Sequence, residues 1–165
     1  TQKPSSAASD VYKRQVMMRK RSNMNLVAVE GGNKTQREIC EKVVHYMIGK
    51  LMPRMRTLDI EVQLKNLTGD AVGFCMMEEN NRMFTIEADR KLGIKDLVTT
   101  ICHEMIHVKQ YARKEMDDWS GTGVARWKTK TFNAENTNYY KLPWEKEAYR
   151  LQDKYANMVW NEEII

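Results

Sequence analysis

Histidine, cysteine and proline are scarce in this chain, three of each in 165 residues. Cys40, Cys75 and Cys102 are odd in number and no two stand in a CxxC spacing. That argues against a disulfide framework and against a cysteine-bound zinc, and it suits a reducing cytoplasm, which is the host's if the gene is carried by a phage. Cys102 reads as a small buried side chain rather than a ligand. The PCxxC partner of a zinc deaminase is also missing. No apolar run is long enough to span a bilayer, and no signal-peptide core stands near the start, so no membrane is expected. Repeats and low-complexity tracts are absent as well.

Positive charge is present, but much of it sits where it carries little meaning. The formal net charge is +5. Asp10-Val11-Tyr12-Lys13-Arg14-Gln15 resembles the in-frame translation of a transposon end used in sequencing adapters, and residues 1–15 are set aside on that reading. Lys3, Lys13, Arg14 and Asp10 go with them, and the charge falls to +3. A surplus of that size is ordinary for a soluble domain and supports a nucleic-acid partner only weakly. Arg19-Lys20-Arg21 reads as part of a disordered, basic lead-in over residues 16–34. Residues 35–165 have the length of one domain.

Two of the three histidines stand in His103-Glu104-Met105-Ile106-His107, an HExxH pattern. A helix brings positions i and i+4 to one face, so both imidazoles can bind one metal ion, and Glu104 beside them can act on a water. The alternative is a surface helix that carries two histidines by chance. The flanks argue for a buried helix. Leu97, Ile101, Met105 and Val108 recur at helical spacing, and Val98, Cys102 and Ile106 widen the stripe. Beyond His107 the polar Lys109, Gln110, Arg113 and Lys114 suggest that the helix surfaces and ends near Met116.

A first helix is expected from Thr35, with Glu38 completing a capping box and Pro53 stopping it. Ile39, Val43, Tyr46, Met47 and Leu51 form its apolar stripe. His45, beside that stripe, reads as a core or boundary histidine. Leu58, Ile60, Val62 and Leu64 alternate as a half-buried strand. Ala71–Met77 and Met83–Ala88 read as a hairpin through Glu79-Asn80-Asn81. The segment from Val124 to Phe132 suggests an irregular hairpin, and Asn133 to Asn138 a loop. Trp119, Trp127, Tyr139 and Tyr140 either line a groove or pack. Pro143 opens a last helix with Trp144, Ala148, Leu151, Tyr155 and Met158 on its apolar face. The fold class is therefore α+β: an N-terminal helix, a small antiparallel or mixed sheet of about three strands, the HExxH helix and a glutamate-bearing C-terminal helix.

Catalytic zinc commonly takes three protein ligands, yet no histidine follows His107. The third ligand must be a carboxylate, or His45 from upstream. Glu145 and Glu147 begin a helix that packs on the core, where an unpaired carboxylate is costly. On the helical wheel Glu147 sits nearer the apolar face.

The run from His103 to Tyr111, followed by Pro143-Trp144-Glu145-Lys146-Glu147-Ala148-Tyr149, resembles the small phage and bacterial zincin metallopeptidases of SprT-like type. It is similar also to minimal gluzincins. The resemblance spans roughly Thr35 to Tyr155 and implies a zincin-like fold. In the gluzincin pattern the third ligand is the first glutamate of E-x-x-A-[D/N], which here falls on Glu145; Tyr149 stands at the last position. The third histidine typical of SprT and Spartan proteases is absent. The resemblance implies a Zn2+-dependent peptidase acting on a peptide or protein, with His103, His107 and Glu145 (alternatively Glu147) as ligands and Glu104 as general base. Tyr139 or Tyr140 would serve as oxyanion donor, with Tyr140 the one selected. The strand Phe84–Ala88 is expected to border the cleft and pair with an extended peptide. Alternatives are a non-catalytic zinc-binding module tethered to DNA or protein, and a peptidoglycan endopeptidase.

Overall fold

The computed structural model describes residues 24–119 and 122–165. Residues 1–15 and Arg19-Lys20-Arg21 lie outside the described residues, as does the side chain of Trp119. The described residues form a mixed α+β fold with three α-helices and two small sheets. Among them, no helix is long and apolar enough to cross a membrane.

The order begins with strand β1 (Leu26–Gly31), helix α1 (Lys34–Leu51), and strands β2 (Asp59–Lys65), β3 (Gly73–Met77) and β4 (Met83–Asp89). Helix α2 (Ile94–Ala112) follows, then β5 (Met116–Trp119), β6 (Val124–Trp127) and β7 (Lys130–Asn133). A 3₁₀ turn (Tyr139–Lys141) leads into helix α3 (Pro143–Asn161). Strand β1 falls inside the stretch expected to be a disordered lead-in. It pairs in parallel with β2 and so belongs to the main sheet. The expectation failed there because a parallel partner is far away in sequence, and no local turn advertises the pairing.

The main sheet has the order β1-β2-β4-β3, with β1, β2 and β4 parallel and β3 antiparallel to β4. The β3–β4 hairpin forms as expected, closed by Glu78 N–H on Met83 O at 2.9 Å. Both edges of β4 are occupied, by β2 and by β3, so Phe84–Ala88 cannot accept a peptide. Among the described residues the sheet has two free edges, β1 and, next to β4, β3. Phe74, Met76 and Met77 of β3, with the preceding Val72, are exposed.

Helix α1 starts at Lys34, earlier than the expected Thr35–Glu38 capping box would place it. Asn33, not Thr35, is the cap: its Oδ1 accepts from Gln36 N at 2.9 Å, and Gln36 Oε1 accepts from Asn33 N at 3.0 Å. Val43, Val44, Met47 and Ile48 then face the core. His45 is exposed rather than in the core or at its boundary.

Helix α2 is the centre of the fold. Leu97, Val98, Ile101, Cys102, Met105, Ile106 and Val108 are all fully buried, between the sheet and the other two helices. It ends at Ala112, short of Met116. Lys114 turns into the left-handed region at φ 57°, and Glu115 N–H reaches back to Gln110 O at 2.8 Å. That 6→1 closure satisfies carbonyls the helix would otherwise leave open. The chain then enters the second sheet, of order β5-β6-β7, whose small core joins Trp127, Phe132, Leu142 and Trp144. Trp127 is thus a packing residue.

Candidate metal centre

Helical spacing brings His103 and His107 to one face of α2, and burial holds them there, each 7% exposed. Their Nε2 atoms approach to 3.2 Å. Pro143 fixes the start of α3, and Trp144 plugs the second core, so the first turn of that helix aims Glu145 at the pair. One Glu145 oxygen lies 3.4 Å from His103 Nε2 and the other 3.4 Å from His107 Nε2. Among the described residues these three form a buried group able to hold a metal ion.

The donor set fits a metal on its own geometry. Around a tetrahedral ion with bonds of about 2.0–2.1 Å, donor atoms stand about 3.3–3.4 Å apart. The two Nε2 atoms stand 3.2 Å apart, near that spacing, and each lies 3.4 Å from a different oxygen of Glu145. Glu145 Oε2 is buried without a hydrogen-bond donor, a costly state for a carboxylate oxygen unless a cation meets it.

The tautomer of His107 follows from its partner. Gln110, fully buried, donates from Nε2 to Trp144 O at 3.0 Å and to Glu147 Oε2 at 2.9 Å. Both are acceptors, so the orientation of the amide is fixed, and Oε1 must face His107 Nδ1 at 2.8 Å. That nitrogen carries the proton, and Nε2 turns its lone pair towards His103 and Glu145. Gln152 Oε1 meets His103 Nδ1 at 2.8 Å in the same way. Two imidazole lone pairs facing each other repel unless a cation sits between them.

Comparison with family models, with curated proteins and with solved structures found no match. The chemistry must therefore be read from the side chains themselves.

Glu147 does not join the histidines. It accepts from Gln110 and pairs with Lys109 at 2.9 Å, while Lys109 also meets Glu115 at 2.7 Å. Lys109 and Gln110, whose polarity suggested a surfacing helix, are in fact buried at 8% and 0% exposure. Burial is tolerable because the lysine has two carboxylate partners and the amide is bonded at both ends. Sequence reasoning missed Gln110, Gln152 and Lys109 as site residues. The available signals were a glutamine three residues after His107 and another seven residues after Glu145, both too common to stand out.

Electrostatics separate the two carboxylates nearest the histidines. Burial acts to raise the Glu145 pKa, but His103 and His107, which donate from Nε2 when protonated there in the absence of a metal, and the Tyr139 hydroxyl outweigh it and bring the value down to about 2. Glu104 moves the other way. Burial raises its pKa, the two histidines oppose this, and Glu145 adds to it. On His107, burial favours the neutral ring, yet Glu145 and Glu104 raise its pKa overall. In the metal-free protein one carboxylate is thus held charged beside the histidines, and burial pushes the other towards its neutral form.

Space around Glu104 depends on Gly73 at the start of β3. A Cβ there would stand 2.8 Å from Glu104 Oε1 and 2.7 Å from Thr100 Cγ2. Tyr149 packs edge-on against His103 with centroids 4.7 Å apart, and Tyr140 packs on Tyr149. Tyr139 is the tyrosine coupled to Glu145; Tyr140 is 66% exposed on the cavity wall. Cys102 is buried, its thiol pushed up to about 12, and is not in the group.

Proposed function

We propose that the protein is a zinc-dependent peptidase of zincin type, holding Zn2+ through His103, His107 and Glu145. The observation that carries this reading is the coincidence of a buried two-histidine, one-carboxylate donor set with a separate buried carboxyl, that of Glu104, whose pKa is raised. Two imidazoles and one carboxylate suit zinc, and three protein ligands leave a fourth position open. Bound there, zinc would polarise a carbonyl and acidify water.

The chain's own residues supply the rest. Glu104 takes the proton of the attacking water and returns it to the leaving amine, a role for which a raised carboxyl pKa is suited. Tyr139, coupled to Glu145, is the better-placed donor to the developing oxyanion, and Tyr140 becomes a wall of the cavity. An extended substrate pairs with β3, the sheet edge beside Glu104, rather than with β4. Gln110 and Gln152 keep both imidazoles turned the right way. A purely structural zinc site would have no use for Glu104.

Metal analysis and a quenched-peptide library test the proposal together. The parent should carry one zinc and cleave, with activity abolished by chelation. Glu104→Gln should keep zinc and lose about 10²-fold or more in rate, the usual contribution of a general base. A His103→Ala, His107→Ala variant that still carries stoichiometric zinc would overturn the assignment, as would a Glu104→Gln variant that cleaves like the parent.

A further inference from the structure

Two cavities meet at the candidate metal centre, one on each side. The larger, about 730 Å³, opens on the His103 side; the smaller, about 280 Å³, opens on the His107 side. Gly73, Phe74, Glu104 and Tyr139 line both, so they join into one groove along the β3 edge that passes over the base. A groove continuing past the reacting centre in both directions accommodates an internal stretch of chain. An enzyme that trims chain ends needs a wall on one side, with a charge to meet the terminus.

The charges of the groove have one sign. Among the described residues neither cavity is lined by lysine or arginine, which removes the group that would hold a terminal carboxylate. Beyond Glu104 and Glu145, its charged residues are Asp70 and Asp96 in the larger cavity and Asp118 in the smaller. Asp96 lies on α2, seven residues before His103, about 10 Å along the helix axis. The same cavity is walled largely by apolar and aromatic side chains, Val72, Phe74, Leu92, Tyr140 and Tyr149, with Thr99, Thr100 and Gln152 beside them. Apolar walls together with the exposed carboxylates of Asp70 and Asp96 complement a side chain with a long aliphatic stem and a cationic head.

Resting on the peptidase reading, we propose that the substrate is an internal, extended and basic stretch of polypeptide, with a lysine or arginine near the scissile bond entering the larger cavity towards Asp70 and Asp96. The pairing with β3 supplies affinity through the backbone, and the acidic cavity supplies the side-chain preference.

The test uses peptides blocked at both ends, with Lys, Leu or Glu placed in turn at each position around the scissile bond. Blocked peptides should be cleaved as fast as free-ended ones. At one position Lys should exceed Leu by about fivefold or more in kcat/KM, the worth of a partly screened ion pair. Added salt should shrink that ratio, and Asp70→Asn with Asp96→Asn should bring it near one. Zinc-loaded Glu104→Gln, titrated with fluorescent blocked peptides, should bind a lysine-rich one more tightly than a glutamate-rich one. Cleavage confined to peptides with a free α-amine would overturn the proposal and turn Asp118 into an amine anchor. A Lys-over-Leu ratio unmoved by the aspartate changes, or a dimer that closes the groove to both peptides, would overturn it too. Selective binding of the lysine-rich peptide without any cleavage by the parent would sink the peptidase reading and keep this one. Cleavage without preference would do the opposite.

Discussion

Replacing Gln110 separates a role in orienting His107 from a role in holding the fold. Gln110→Leu removes three contacts: the acceptor for His107 Nδ1 at 2.8 Å and the donors to Trp144 O at 3.0 Å and Glu147 at 2.9 Å. Glu147 retains Lys109 and the Trp144 carbonyl retains its place in the α3 ladder, so the orphaned group is the imidazole N–H. Such a buried group costs about 1–3 kcal/mol, and stability should fall by about that amount. Freed from its partner, His107 can rotate or change tautomer, and zinc affinity should fall about 10–100-fold, or about 1.4–2.7 kcal/mol. Gln110→Glu distinguishes the two effects. It keeps an acceptor at His107 but sets a carboxylate against Trp144 O and Glu147. Stability should then fall while zinc affinity stays near that of the parent. Chelator competition measures the affinity, denaturant unfolding of the metal-free protein the stability, and nitrogen NMR the imidazole tautomer. The reasoning fails if folded Gln110→Leu binds zinc as the parent does, or if both substitutions weaken zinc equally.

Further outcomes follow from the same contacts. Glu145→Gln should release zinc, because a charged ligand becomes a neutral amide, whereas Glu147→Gln should retain it; metal analysis reads both, and the reverse result would reassign the ligand. Gly73→Ala should leave zinc bound but displace the Glu104 carboxyl, lowering kcat by about tenfold or more while KM changes little. Glu147 is partly buried, which acts to raise its pKa, but Gln110 and Lys109 prevail and hold it below the 4.5 of a free glutamate. A depressed carboxyl stabilises the fold above that pH and loses the contribution as pH falls through its folded value. The difference in unfolding free energy between parent and Glu147→Gln, both metal-free, should therefore shrink from about pH 6 to about pH 3. A difference that grows towards acid would refute the Lys109–Glu147 pairing as the cause.

Several elements were legible in the chain because their signals are local. Residues four apart share a helix face whatever surrounds the helix, so His103, Glu104 and His107 could be assigned before any packing was known. Alternation in β2 and the Glu79-Asn80-Asn81 turn between β3 and β4 are likewise short-range signals, as is Pro143 at the start of α3. Glu145 as the partner of the histidines came from a resemblance in its flanking residues, while the helical wheel favoured Glu147. A wheel gives angles within one helix. The rotation of α3 about its own axis against α2 is set by Trp144 docking on Trp127 and Phe132, and by Ala148 and Val159 entering the main core. Those contacts turn Glu145 inward and leave Glu147 to Lys109 and Gln110. Tertiary structure alone also made β1 a strand, put β3 rather than β4 at the sheet edge, and buried a lysine and a glutamine that read as surface. In each case the deciding partner lies many residues away, and no spacing within the chain records which distant group will complete a hydrogen bond or a strand pair.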